Sequence, residues 1–140
     1  MGSYRAAIVG LSWIAADPAG PASHPVLGTA TPYSHASAYA ATPGVEVVAG
    51  CDIKPEARQA FERQWGDQWP GVRTYADYRE MLAREQVEIL SVVTPDHLHA
   101  DAVLAGVEAG VRAIFCDKPL ATSLADADAM IATVRERGVV

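Results

Sequence analysis

Short apolar runs alternate along this chain with stretches in which apolar residues recur every three or four positions. The runs are residues 4–12 (YRAAIVGLS), 45–53 (VEVVAGCDI), 72–75 (VRTY), 87–95 (VEILSVVTP) and 111–119 (VRAIFCDKP). They are near-continuous rather than alternating, which predicts strands covered on both faces, as in a parallel sheet. The closing GVV predicts the start of a sixth strand, cut off at Val140.

The intervening stretches predict helices. Residues 55–65 set Ala57, Ala60, Phe61 and Trp65 on one face, with Pro55 early, where its missing N–H is harmless. Residues 76–84 offer Tyr78, Met81 and Leu82. Residues 97–109 offer Leu98, Ala102, Ala105 and Ala109, then Gly110 as a left-handed stop. Residues 124–137 offer Leu124, Ala127, Ile131 and Val134, with Ser123 and Asp126 as a capping pair and Gly138 beyond the end. A shorter pattern, HASAYAAT, covers residues 35–42. Strands alternating with helices imply right-handed crossovers. The expected fold is α/β, a Rossmann-type doubly wound parallel sheet of strand order 3-2-1-4-5, filling residues 1–140 as one domain.

Residues 16–34 (ADPAGPASHPVLGTATPYS) break the alternation. They hold four prolines, two glycines and one charge, and read as a long irregular loop.

Composition narrows the class. Of 140 residues, half are hydrophobic and a fifth charged, as in ordinary globular protein. The net charge is −6 and no Lys/Arg cluster is present, which argues against nucleic acid and membrane surfaces as partners. No apolar run approaches the roughly 20 residues of a membrane span, and no signal peptide is visible. Cys51 and Cys116 sit near the ends of strands three positions apart, roughly 14 Å at the usual strand spacing. That is too far for a disulfide, so they read as small buried apolar residues. A cytoplasmic enzyme fragment is the simplest class.

The first strand ends in GLSWIA, residues 10–15. The dinucleotide fingerprint is G-x-G-x-x-G/A between a strand and a helix. Gly10 matches, Ala15 is allowed at the third position, and Ser12 replaces the middle glycine, with Trp13 and Ile14 inside the turn. Alone, the stretch reads equally as an ordinary strand-to-loop turn. An acidic residue is expected about 20 residues further on, at the second strand tip. Asp52 lies 37 residues past Ala15, and 18 once the 19-residue segment 16–34 is set aside. The chain therefore reads as a βαβ unit with an insertion between its glycine turn and its first helix, folding over the cofactor as a flap. Asp52 would accept the ribose hydroxyls and repel a 2′-phosphate, favouring NAD, with NADP as the alternative should Lys54 and Arg58 neutralise it. Its other reading is a turn or cap residue.

Ligands of open α/β sheets sit outside the carboxyl ends of the strands. That sets Thr94, Pro95 and His99 beside the cofactor. Asp96 reads as a helix cap and His97 as exposed. Residues two apart point different ways on a helix, so the two histidines are not a metal pair, and no metal site is expected. Lys118 ends the fifth strand at the same crevice, beside Asp117 and Pro119. A charge there is either a proton-handling group or a solvated strand end paired with Asp117.

Taken together, AIVGLSWIA, HASAYAATPGVEVVAGCD, TPDHLHADAVLAGVEAG and CDKPLATSLADADAMI resemble the amino-terminal domain of the glucose–fructose oxidoreductase / inositol dehydrogenase (Gfo/Idh/MocA) family. They cover nearly the whole chain outside the insertion. The family carries Glu-Lys-Pro where this chain has Asp117-Lys118-Pro119. The resemblance implies that Lys118 is the catalytic lysine, near the nicotinamide and the substrate hydroxyl. It also implies that Asp117, Thr94, Pro95 and His99 lie near the cofactor. The implied reaction moves a hydride between a secondary alcohol of a sugar or polyol and NAD. Family members carry a second α/β domain that binds substrate and through which they associate. That substrate domain is absent here, so the chain is expected to bind a dinucleotide without turning over substrate, and a homo-oligomer would form through the missing sheet. Two other classes stay open: a non-catalytic nucleotide-sensing module, and another Rossmann enzyme such as an S-adenosylmethionine-dependent methyltransferase.

Overall fold

The computed structural model describes residues 2–18 and 32–140. The strands are β1 (Tyr4–Val9), β2 (Val45–Cys51), β3 (Arg73–Tyr75), β4 (Ile89–Val92) and β5 (Ala113–Cys116). The helices are α1 (Trp13–Ala16), α2 (His35–Ala40), α3 (Pro55–Trp65), α4 (Tyr78–Arg84), α5 (His99–Glu108) and α6 (Leu124–Arg137), with a 3₁₀ turn at Asp96–Leu98. All strand pairs are parallel, in the order β3-β2-β1-β4-β5 that the sequence predicts.

Side chains alternate along a strand, so one apolar run feeds two cores. β1 sends Ala7 and Val9 to a core closed by Met81, Leu82, Ala102, Val103 and Met130 of α4, α5 and α6. It sends Ala6 and Ile8 to a core closed by Ala15, Ala36, Phe61 and Trp65 of α1, α2 and α3. Each fully buried branched or aromatic side chain contributes about 1.5–3 kcal/mol.

Four expectations change. β5 is not covered on both faces: Ile114 and Cys116 pack against the first core, but Phe115 on the α1–α2 side is 61% exposed. On that side the His35 ring of α2 touches Phe115 at its edge and leaves most of it open. Leu98 is exposed rather than on the buried face, because the 3₁₀ turn changes the helical phase before α5 begins at His99. Asp96 accepts only from its neighbour His97 N–H and does not cap α5; His97 is exposed as expected. Leu124 and Ile131 face solvent in the last helix while Met130, not anticipated, is buried. The Ser123–Asp126 cap forms, and Gly110 and Gly138 take the left-handed conformation that ends α5 and α6.

The insertion also enters later than expected. One helical turn, α1, follows the glycine turn directly, so the break falls within the first helix rather than before it. The Ser34 hydroxyl donates to the Asp17 carbonyl at 2.7 Å and ties the two sides of the break. Most of the expected flap, residues 19–31, lies outside the described residues. At the far end, Val140 N–H donates to the Arg112 carbonyl and the Val140 carbonyl accepts from Ile114 N–H, at 3.1 and 2.8 Å. These bonds extend the parallel pattern beside β5, as a nascent sixth strand would.

Candidate cofactor and active site

The carboxyl ends of β1, β2, β4 and β5 converge. Gly10 follows β1 with φ of +88° and donates its N–H to the Cys51 carbonyl at 2.8 Å. A Cβ on Gly10 would lie 2.5 Å from the Val93 carbonyl oxygen and 2.9 Å from Thr94 N. Only glycine fits a positive φ and a contact that close. Ser12, where the fingerprint has its second glycine, is the exposed N-cap residue of α1; its side chain makes no capping bond. Trp13 is 65% exposed and leans against the ring of Tyr33, while Ile14 turns inward against the α1–α3 core.

Asp52 sits one residue past β2. One carboxylate oxygen accepts from Leu11 N–H and the other from Lys54 N–H, each at 2.9 Å. The carboxylate thus binds the glycine turn to the second strand and keeps lone pairs for further donors. The Arg58 guanidinium donates to the Asp52 and Ile53 carbonyls at 2.7 and 3.2 Å, not to the Asp52 carboxylate. The expected neutralisation by Arg58 is therefore absent from the geometry.

Thr94 follows β4. Among the described residues, its Oγ1 is the buried side-chain oxygen that lacks a hydrogen-bond partner. Such an atom costs about 1–3 kcal/mol unless something supplies a bond. Pro95 beside it is exposed. His99, expected to border the cofactor, is only 1% exposed and lies behind the crevice wall. Asp117 and Lys118 follow β5. Asp117 N–H continues the ladder to the Val92 carbonyl at 3.0 Å, and its carboxylate accepts from Lys118 N–H at 2.9 Å. Lys118 is exposed, as a group meeting a ligand or solvent must be.

The profile of the oxidoreductase family with the NAD-binding Rossmann fold, Gfo/Idh/MocA, matches residues 4–140. The chain belongs to this family. It is 37% identical over 106 residues to D-apiose dehydrogenase of Paraburkholderia graminis, covering 76% of this chain and 27% of that protein. It is 33% identical over 95 residues to inositol 2-dehydrogenase of Salmonella typhimurium, covering 68% and 27%. Among solved structures it resembles the WlbA dehydrogenase of Bordetella pertussis in complex with NADH and UDP-GlcNAcA. That likeness has a TM-score of 0.76 and 27% identity, over 99% of this chain and 34% of that one. The chain thus spans about a third or less of the length of these Gfo/Idh/MocA relatives.

The residues present fit the family's nicotinamide dinucleotide. Gly10 packed against Val93–Thr94, an unpartnered hydroxyl at Thr94 and a carboxylate with spare lone pairs at Asp52 lie together at the carboxyl edge of the sheet. A larger hollow, about 620 Å³, lies at the opposite end of the sheet against Val140 and Arg112. It lacks convergent groups of this kind, so size is a poor guide here.

Sequence reading missed one part of the crevice. A hollow of about 360 Å³ is bounded by Ile14, Tyr33, His35, Ser91, Phe115 and Asp117. Ser91, fully buried within β4, bonds His35 Nδ1 at 3.0 Å and the Tyr39 hydroxyl at 2.7 Å. Residues four apart on a helix share a face, so α2 grips the sheet through both. The His35 ring meets Phe115 edge-on at 4.9 Å. Burial holds His35 below the ordinary histidine range, and the Asp117 charge opposes that shift. Burial, reinforced by Asp52 and Asp77, pushes the Cys51 thiol up to about 12. Burial with Asp117 pushes Cys116 up to about 11. Both thiols are free and protonated, hence poor nucleophiles. The clue to this cluster was a lone serine in an otherwise apolar strand.

Proposed function

We propose that the chain is the cofactor-binding domain of an NAD-dependent dehydrogenase acting on a secondary alcohol of a sugar or polyol. The observation that carries this reading is the junction at the carboxyl edge of the sheet, where Gly10 packs on Val93–Thr94 and Asp52 holds Leu11 N–H beside the unpartnered Thr94 hydroxyl. The relatives' names, dehydrogenases of apiose and of inositol, support the substrate class. Bound NAD supplies the hydride acceptor. The turn Gly10-Leu11-Ser12-Trp13-Ile14 lies along the pyrophosphate, and the Ser12 hydroxyl offers a donor where a second glycine would offer only backbone. Asp52 accepts the adenosine ribose hydroxyls. Its carboxylate, to which Arg58 makes no bond, disfavours a 2′-phosphate, so NAD is preferred over NADP. Thr94 and Pro95 border the nicotinamide. Lys118 hydrogen-bonds the reacting oxygen and lowers the cost of losing its proton as the carbonyl forms, with Asp117 orienting the turn.

Substrate contacts come from a separate domain, in keeping with relatives about three times as long. On this reading the 140-residue chain binds dinucleotide without turnover, and the parent enzyme self-associates through that other domain. Free thiols suit a reducing compartment, so the enzyme is assigned to the cytoplasm. Among the described residues no helix is long and apolar enough to cross a membrane. Calorimetric titration of this chain with NAD, NADP and S-adenosylmethionine tests the proposal. NAD should bind tightest and NADP more weakly; a preference for S-adenosylmethionine would sink it.

A further inference from the structure

We propose that His99 is the positioning residue of this site, a buried clasp that sets the end of β4 against the Lys118–Pro119 turn. The functional part of the inference rests on the dinucleotide reading above. β4 and β5 pair from Ile89↔Ala113 to Val92↔Cys116, and their ladder ends with Asp117 N–H on the Val92 carbonyl. Beyond that bond the two chains part, one carrying Thr94 and Pro95, the other Lys118 and Pro119. The His99 imidazole fills the gap. Its Nε2 lies 2.8 Å from the Thr94 carbonyl and its Nδ1 lies 2.9 Å from the Pro119 carbonyl. At 1% exposure it touches no solvent.

Both partners are backbone carbonyls, and the tautomer decides which of them takes the ring N–H. The ring is also carried by the first residue of α5, a ten-residue helix packed on the sheet, so its origin is rigid. One side chain therefore fixes residues on both sides of the crevice. Through the Thr94 carbonyl it orients the residue whose hydroxyl is unpartnered. Through the Pro119 carbonyl it anchors the residue after Lys118, whose own amine is left to the crevice. His99 does not itself meet a ligand; it holds in place the groups that would.

Three variants of the whole chain test this. His99→Leu keeps bulk and removes the ring nitrogens, His99→Gln keeps an amide donor, and Val107→Ala loosens α5 at its opposite, buried end. Hydrogen exchange is read at Thr94, Asp117, Lys118 and Leu120, relative to the β1 amides, together with NAD affinity. In His99→Leu these four amides should exchange roughly tenfold faster than global stability predicts, and NAD affinity should fall by about as much. His99→Gln should recover part of both. Val107→Ala should lower overall stability with neither local effect. Equal exchange in all three variants, or no local change in both His99 variants, would overturn the clasp. If the unaltered chain fails to bind NAD, the cofactor reading falls while the exchange comparison still decides the clasp.

Discussion

The two ends of the sheet treat polar groups in opposite ways. Near the amino ends of β1 and β4, the Glu85 carboxylate is 1% exposed and fully engaged. It takes Arg5 Nη2 at 3.2 Å, Arg73 Nε at 2.8 Å and the Tyr75 hydroxyl at 2.6 Å. Burial and the Glu85 bond push the Tyr75 phenol up, keeping it a donor. At the carboxyl ends, Thr94 Oγ1 is buried without a partner, Ser12 caps nothing with its side chain, and Lys118 stands exposed. Buried polar groups are stable when every bond is made and costly otherwise. The first end is satisfied within the fold; the second leaves polar groups unpaired among the described residues.

Removing polar atoms should therefore have opposite results at the two ends. Glu85→Ala strips two arginines and a tyrosine of their shared acceptor. The arginines are partly hydrated, so the loss should sit at the low end for a broken buried pair, about 3 kcal/mol in urea unfolding. Gly10→Ala comes next. A Cβ at positive φ against the Val93 carbonyl should cost about 2 kcal/mol and abolish measurable NAD binding. Retained affinity in a folded Gly10→Ala chain would show that the backbone approach is not used.

His35 gives a pH-dependent contrast. Its folded value lies below the ordinary 6.5, so the unfolded chain takes up the proton first as pH falls. Stability should be level above that value and drop as pH falls from it through the folded value. His35→Phe, which keeps a ring against Phe115, should flatten this slope in unfolding midpoints taken from pH 8 to 5. The smallest effect belongs to Thr94→Val. Deleting an unpartnered hydroxyl should leave stability within about 0.5 kcal/mol or raise it slightly, while NAD affinity falls several-fold. A stability loss as large as that of Glu85→Ala would erase the contrast between the two ends.

The strand order, the crossovers and the tip positions of Gly10, Asp52, Thr94 and Lys118 were legible because each rests on local patterning. Where patterning depended on what lay alongside, it misled. The apolar run through Phe115 looked covered on both faces, yet beyond its edge contact with His35 that ring is mostly exposed. His99 looked like a cofactor neighbour because of its place in TPDHLH. A one-turn 3₁₀ segment rotates α5 so that the ring points back between two strand ends.

By itself the sequence determined the alternation of strands and helices, hence the parallel sheet and the edge at which the candidate site residues gather. Those follow from side-chain periodicity and from residues with special backbone behaviour, both properties of a few neighbouring positions. Only the tertiary structure decided which polar atoms were left over. Glu85 is satisfied by residues 80 and 12 positions away, Ser91 by residues 56 and 52 away, and Thr94 Oγ1 by none. Hydrogen-bond satisfaction depends on partners brought together by the fold, which no local pattern specifies.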